Sequence, residues 1–281
     1  MSLNIVCCIK QVPDTTEVKI DPETNTLIRA GVESISNPYD LAALECAISI
    51  KKTLGAKITA ISMGPMQAEE VLREALSLGA DEAILLSDKL FAGADTLATS
   101  YTLAKAIEKV SRESKVDLVL CGKQAIDGDT AQVGPGIATR LEYTQLTYVT
   151  EIKEIDLQSV TVKRRTDYGY EIIRGRLPAL ITVELISTMP HRASLPHLIQ
   201  SMRTRIPAWS AETIQALGTK IGLKGSPTWV KKISSPPVKQ GGPVFVANER
   251  PEQAVESCLN VIFADTAFTA KFMKPHGAQI Q

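Results

Sequence analysis

The chain has 281 residues, enough for one large or two small domains with a substantial core. Its 31 basic residues equal its 31 acidic residues, so no net charge favours nucleic acid or an acidic membrane surface as a partner. It shows neither a signal-peptide pattern nor an apolar run near the ~20 residues that span a bilayer, which predicts a cytoplasmic protein without membrane insertion. The five cysteines lack metal-ligand spacing, so we expect reduced thiols and no metal site.

The first half alternates short β-branched runs with longer amphipathic ones, a pattern typical of a parallel sheet covered by helices. Asn37 is expected to cap the first helix, with Pro38 at its first position and Gly55 at its end. Further predicted helices cover 67–78 and 95–110. Strands are predicted at 4–10, 57–62, 82–86 and 116–121, with a hairpin over 18–29.

The second half predicts four short strands in close succession, at 147–152, 160–165, 170–176 and 179–184. They indicate an antiparallel or mixed extension of the main sheet. A Gly- and Pro-rich stretch over 218–243 predicts an extended, exposed arm, followed by a helix over 252–263 and a tail. The predicted class is α/β, with residues 1–190 as one domain built on an open, mostly parallel sheet covered by helices and residues 191–281 as a loop and C-terminal arm.

The loop from Gly122 to Pro135 follows the predicted strand 116–121 and precedes a helical run. Gly122, Gly128 and Gly134 are expected to allow sharp turns and close ligand approach, while the free amides of the next helix attract an anion. Neither standard phosphate fingerprint fits this spacing. A strand-to-helix turn without a ligand is the alternative.

Open α/β sheets bind ligands beyond the carboxyl ends of their strands, so residues 8–11, 63–65 and 122–135 should converge on one crevice. The helix start at Asn37 could close it, with Tyr39 on a base and Asp40 on a ribose hydroxyl. A simple capping turn is the alternative there. The candidate cofactor-binding residues are Cys8, Asn37, Pro38, Tyr39, Asp40, Met63, Gly122, Lys123, Gln124, Ala125, Ile126, Asp127, Gly128, Asp129, Thr130, Ala131, Gln132, Val133 and Gly134.

Two segments resemble the β subunit of electron-transfer flavoproteins. Gly122-Lys-Gln-Ala-Ile-Asp127 is similar to that family's nucleotide loop, and the segment from Val162 to Thr182 resembles its second signature. Landmarks at 36–39, 62–65 and 193–196 occur in the same order, so the resemblance covers roughly residues 3 to 205.

The resemblance implies a heterodimer with an α subunit, an adenine nucleotide in the crevice of the domain 1–190, and a partner-recognition loop ahead of the C-terminal arm in 191–281. That nucleotide is a structural AMP in ordinary members. Residues 127–135 look instead like the electron-bifurcating branch, in which the β subunit holds FAD, and small Gly128 and Ala131 would leave room for it. The implied function is to take electrons from NADH and divide them between an acyl-CoA dehydrogenase-type partner and a low-potential acceptor such as ferredoxin or flavodoxin. Since flavin supplies the chemistry, no catalytic side chain is expected.

The family also anchors its dehydrogenase partner through a leucine, which here corresponds to Leu195, followed by Pro196 in a loop that we expect to be exposed. Two alternatives remain open. One is a plain electron carrier with structural AMP. The other is an adenine-nucleotide-hydrolysing or adenylyl-transferring enzyme, whose usual motifs near the first strand do not occur here.

Overall fold

The computed structural model describes residues 2–14, 19–20, 27–28, 34–185, 192–229 and 251–264. The chain divides into two compact units, 1–235 and 236–281. The division after residue 190 stays a prediction. The helices are α1 (Pro38–Leu54), α2 (Glu69–Leu78), α3 (Thr96–Glu113), α4 (Val133–Leu141), α5 (Leu195–Arg203) and α6 (Pro251–Ala264). The strands are β1 (Asn4–Cys8), β2 (Gln11–Pro13), β3 (Lys19–Ile20), β4 (Leu27–Ile28), β5 (Ser34–Ser36), β6 (Lys57–Met63), β7 (Glu82–Leu86), β8 (Leu118–Gly122), β9 (Thr144–Ile155), β10 (Ser159–Thr166), β11 (Gly169–Arg176), β12 (Ala179–Val183) and β13 (Ala208–Trp209).

The first unit is built on a nine-stranded sheet in the order β11-β10-β9-β12-β8-β1-β6-β7-β13. Neighbouring strands are parallel from β9 to β13, whereas β9, β10 and β11 pair antiparallel. Strand β12 returns between β8 and β9, as an extension that rejoins the main sheet requires. The predicted α/β class and its antiparallel extension are confirmed.

Helices cover both faces of this sheet. On one face α1 and α2 pack through buried residues such as Leu44 and Leu72. On the other, α3 and α4 pack through Ile107 and Ile137. Strands β1 and β8 are buried along nearly their whole length, as expected for central parallel strands covered twice.

Local sequence explains where the helices begin and end. Helix α1 begins at Pro38 and ends at Gly55, whose left-handed φ of 69° lets its amide bond to the Lys51 carbonyl. Asp95 caps α3 by accepting from the amides of Leu97 and Ala98. The expected side-chain cap at Asn37 is absent from α1, because the Asn37 side chain bonds instead to the backbone of Gln124 and Ile126.

The predicted hairpin excursion is confirmed by the antiparallel pair β3 and β4, although its flanking residues lie outside the described residues. The exposed arm was predicted to begin too early. Residues up to 229 fold back on the first unit: β13 pairs with β7, Ile221 is buried, and Thr228 donates to the Asp95 carboxylate. The rest of the predicted arm, 230–243, lies outside the described residues.

In the second unit α6 confirms the helix expected over 252–263, and its apolar side chains Val255, Leu259 and Phe263 are exposed. The predicted tail over 269–281 lies outside the described residues. Among the helices that the structure describes, none is both long and apolar enough to cross a membrane.

Candidate functional site

The candidate site lies where the chain changes its direction across the sheet. From β1 the chain proceeds through α1 to β6 on one side, and after α3 it returns to β8 on the other side of β1. The loops after β1 and β8 therefore separate toward opposite faces, which creates the crevice in which open α/β sheets bind ligands. Cys8 and Cys121 are register partners, so the two loops start side by side.

Asp40, in the first turn of α1, joins these two strand ends. One carboxylate oxygen accepts from the Lys10 amide at 2.9 Å and the other from the Gly122 amide at 2.8 Å. The residue is only 7 % exposed, and this burial raises the pKa of its carboxyl to about 6, against the opposing effect of the hydrogen bonds. Both carboxylate oxygens therefore accept hydrogen bonds from backbone amides, whereas the sequence suggested a hydrogen bond from a ribose hydroxyl.

Asn37 holds the loop after β8 in the same way. Its Nδ2 donates to the Gln124 carbonyl at 2.8 Å, and its Oδ1 accepts from the Ile126 amide at 3.2 Å. The Asn37 amide itself donates to the Lys10 carbonyl. The start of α1 is therefore bonded to both loops of the crevice.

Gly122 is needed for this arrangement. A Cβ at this position would lie 2.5 Å from the Asp40 carboxylate and 2.5 Å from the Tyr39 Cβ. The glycine thus permits close approach of α1, whereas the sequence suggested close approach of a ligand. Gly134 has a similar packing role, because its Cβ would lie 2.6 Å from Thr182 Cγ2 on β12.

Gly128 differs from both, because an added Cβ would meet nothing within 4 Å. The sharp turns of the loop fall on other residues: Asp129 and Ala131 have left-handed φ values of 49° and 54°. The Asp129 amide donates to the Ala125 carbonyl. Left-handed alanine is unfavourable, and such backbone strain concentrates at ligand sites.

Helix α4 starts directly behind this loop. Its first amides have no intrahelical acceptors, as in any helix, and its N-cap residue Gln132 forms no side-chain cap. The Asp129 carboxylate accepts from the Gln124 side chain and does not cap α4. The N-terminus of α4 can therefore offer free amides and a positive dipole end to an anion.

Two ion pairs, each between a lysine and a carboxylate, lie at the crevice. Lys10 bonds both oxygens of Asp127 at 2.7 Å, in an exposed pair of small energetic value. Lys123 pairs with Glu184 at 3.2 Å, and both of these side chains are largely buried. Sequence reasoning placed residues 8–11 at the crevice without naming Lys10 as a candidate binding residue, and it did not single out Glu184.

Aromatic rings flank Lys123. Its Nζ lies 5.7 Å from the centre of the Tyr39 ring and 5.5 Å from that of Tyr148. Tyr148 is held at φ 58°, where the register between β9 and β12 shifts, and its amide donates to Thr182 Oγ1. A bulky residue in the left-handed backbone region is unusual, and the sequence alone does not predict this conformation at Tyr148.

The remaining predicted residues mark the strand ends. Cys8 ends β1 and Met63 ends β6, the strand beside it. Burial, aided by the charge of Asp40, raises the pKa of the Cys8 thiol to about 12, so it stays protonated near neutral pH. No group of three or more His, Cys, Asp or Glu side chains suited to a metal occurs in the described part of the chain.

The structure thus brings the predicted residues to one edge of the sheet, around Asn37, Asp40 and the loop from Gly122 to Gly134. Their contact with a nucleotide stays a prediction. The residues of the predicted partner site lie apart from this loop, at the start of α5: Leu195 is 68 % exposed and Pro196 occupies the first turn. The loop expected there is a helix, which Ser194 caps by accepting from the His197 amide.

Helix α5 is fixed to the body of the unit by Arg73 of α2. The Arg73 guanidinium donates to the carbonyls of Ser201 at 2.6 Å and, less closely, of Met202 and Thr204. The exposed side of α5 carries Leu195 and three further apolar residues, Leu198, Ile199 and Met202.

The fold and the site together define a doubly wound α/β protein with an anion-favouring loop at its topological switch point. The electron transfer flavoprotein domain family matches residues 24–212, about two thirds of the chain. The chain belongs to the electron transfer flavoprotein family, which confirms the assignment made from its sequence motifs.

Curated relatives agree along nearly the whole length. The chain is 46 % identical over 264 residues to Protein FixA of Bradyrhizobium diazoefficiens, covering 92 % of this chain and 91 % of the relative. It is 47 % identical over 257 residues to the electron transfer flavoprotein subunit beta of Megasphaera elsdenii, covering 90 % and 95 %. The corresponding subunit of Thermoanaerobacterium thermosaccharolyticum is 49 % identical over 247 residues, covering 88 % and 93 %.

Proposed function

We propose that this chain is the β subunit of a cytoplasmic, heterodimeric electron-transfer flavoprotein and that it holds FAD in the crevice between β1 and β8. Family membership and the two relatives named as β subunits support the electron-transfer role. The α subunit is the obligate partner in this proposal. The bound flavin would accept electrons from NADH, which then divide between an acyl-CoA dehydrogenase-type acceptor and a low-potential acceptor such as ferredoxin or flavodoxin.

The residues present fit an adenine dinucleotide. Free amides at the start of α4 suit its phosphates, with Lys10 as a nearby positive charge. Gly128 carries the preference for FAD over AMP, because this exposed glycine leaves open space beside the loop into which a longer ligand can extend. The protein's part is to bind and orient the flavin and to tune its potential.

A cofactor count tests the proposal directly. The αβ complex is purified, its nucleotides are extracted, and FAD and AMP are quantified against protein. Two FAD per heterodimer are expected. One FAD with stoichiometric AMP would identify a plain carrier, and absence of flavin together with nucleotide turnover would favour the hydrolase or adenylyl transferase.

Gly128→Leu tests whether the open side of the loop is used. The backbone φ at Gly128 is not left-handed and an added Cβ is unobstructed, so the fold should tolerate the larger side chain. We expect it to lower FAD occupancy of the β-subunit site by filling the space that the ligand needs. Gly218→Leu is the matched control, because Gly218 is also exposed and unobstructed. Equal occupancy in both variants would show that Gly128 does not face the ligand.

We further propose that Leu195 on α5 docks the dehydrogenase partner. Its 68 % exposure at a helix start fits an apolar anchor better than a core residue. Leu195→Ala should weaken docking by roughly 1–3 kcal/mol through lost apolar burial. NADH-dependent flavin reduction should be unchanged, while electron delivery to the dehydrogenase falls. Unchanged delivery would exclude this anchor.

A further inference from the structure

We propose that Asp40 is a positioning residue that sets the spacing of the two loops around the nucleotide without contacting it. This inference rests on the proposed nucleotide-binding function. Its basis is the geometry of one carboxylate that bonds the Lys10 amide after β1 and the Gly122 amide at the end of β8.

The carboxylate suits this task because it is an acceptor at both oxygens. Two amide donors converge on it from separate strands, and hydrogen bonds to an ionised acceptor are the stronger kind. An amide side chain of the same shape offers one acceptor and one donor. Asp40→Asn would therefore leave an N–H group facing another N–H group, either at Lys10 or at Gly122.

Displacement of either amide would reach the ligand loop. The Lys10 side chain is bonded to Asp127, and Gly122 is the first residue of the loop that ends at α4. Because Cβ space at Gly122 is already filled by Asp40 and Tyr39, the loop has little room to move without breaking the packing. The position of the loop amides therefore depends on the charge of Asp40.

The pKa of Asp40 lies in a pH range that a binding experiment can cover. Burial raises the pKa of this carboxyl to about 6, so mild acid converts one oxygen into a donor and removes one of the two amide bonds. Charged groups on neighbouring segments are Lys10 paired with Asp127, and Lys123 paired with Glu184. The nearby thiols, for which burial raises the pKa above the usual thiol value, are Cys7, Cys8, Cys46 and Cys121.

The test measures nucleotide affinity of the αβ complex after removal of its bound nucleotides. The probes are FAD and the methyl ester of AMP, because neither has a phosphate monoester that titrates near pH 6. For the unchanged protein we expect affinity roughly tenfold weaker at pH 5 than at pH 7, as follows from a pKa of about 6. Asp40→Asn should bind at least roughly tenfold more weakly at pH 7 and show a flat profile over this interval.

Asp88→Asn is the matched control. Asp88 also accepts from two backbone amides, those of Leu90 and Ala211, but it follows β7, which β6 separates from β1 in the sheet. It should keep both the affinity and the pH profile of the unchanged protein. A general cost of replacing a bridging carboxylate would instead weaken binding in both variants, which overturns a specific role for Asp40.

Two further outcomes overturn the inference. One is an Asp40→Asn complex with unchanged affinity and pH profile, which leaves the proposed nucleotide function standing. The other, independent of whether the variant folds, is equal affinity of the unchanged protein at pH 5 and pH 7. If the unchanged protein binds neither probe at pH 7, the proposed function itself fails.

Discussion

Asn37→Ala should detach the nucleotide loop from α1. In the folded protein Asn37 is 1 % exposed, and its amide group satisfies the Gln124 carbonyl and the Ile126 amide. Truncation leaves both backbone groups without their partner. A buried polar group without a partner costs roughly 1–3 kcal/mol. Since the loop can relax toward solvent, we expect about 2–3 kcal/mol for the pair, at the low end of the sum.

This cost should be measured as lost nucleotide affinity, because the loop must be ordered again when the ligand binds. A loss of about 2–3 kcal/mol corresponds to a Kd raised roughly 30- to 140-fold. The assay is a fluorescence titration of the nucleotide-free αβ complex with FAD. Asn37→Asp should give at least as large a loss, because it places a buried carboxylate oxygen against the Gln124 carbonyl and a second negative charge beside Asp40.

Asn4→Ala is a suitable control for this substitution. The Asn4 side chain also donates to a backbone carbonyl, that of Lys115, but at the opposite, amino-terminal edge of β1. Its removal should leave FAD affinity unchanged. An Asn37→Ala complex with the Kd of the unchanged protein, or an equal loss in Asn4→Ala, would refute the reasoning.

Three further predictions concern packing, pH and docking. Gly134→Ala should lower the free energy of unfolding by about 1–3 kcal/mol, because its Cβ would crowd both the Thr182 methyl and the Cys121 sulfur. Thr182→Ser should restore part of this loss in urea unfolding, and no recovery would contradict that cause. The pKa of Asp40 in the folded state lies above the usual 3.8, so the native state binds the Asp40 proton more tightly than the unfolded state does. The stabilisation that this proton contributes therefore falls as pH rises from about 4 to 6, by at most about 3 kcal/mol. Asp40→Asn should remove this dependence, and a pH-independent difference in stability between the two proteins would contradict it. Arg73→Gln should weaken dehydrogenase docking in the same assay as Leu195→Ala by loosening α5, and the explanation fails if docking is unaffected.

The sheet and its helices could be predicted because each element carries its own periodicity and punctuation. Strand β7 was predicted with the bounds that the structure shows, and Gly55 ends its helix as expected. These signals are local, so they can be recognised in the sequence without knowledge of tertiary contacts. The fold back of residues 207–228 was missed because the contact of Ile221 with the core is made over a long sequence separation.

The sequence predicted which segments meet at one edge of the sheet, but the contacts of individual residues could not be read from their type. Glycine was expected where the loop turns, yet Asp129 and Ala131 adopt the left-handed conformation while Gly122 and Gly134 serve close packing. Space around a glycine depends on residues distant in sequence. For the same reason Asn37, predicted to be a helix cap because Pro38 follows it, bonds to a loop almost 90 residues away.

Helix α5 occupies a segment for which the sequence predicted a loop, yet Leu195 is exposed there as expected. The sequence predicts a loop around Pro196, but Ser194 before it is a favoured N-cap and proline is well tolerated in the first helical turn. Once α5 is a helix, Leu195 and Met202 lie seven residues apart on one exposed side, and the buried Ser201 faces the body of the unit. Polar contacts from Arg73 hold this helix, while its apolar side chains stay outside the core. That reversal of the usual amphipathic arrangement is expected of a docking surface, because a helix serving only the fold would bury its leucines.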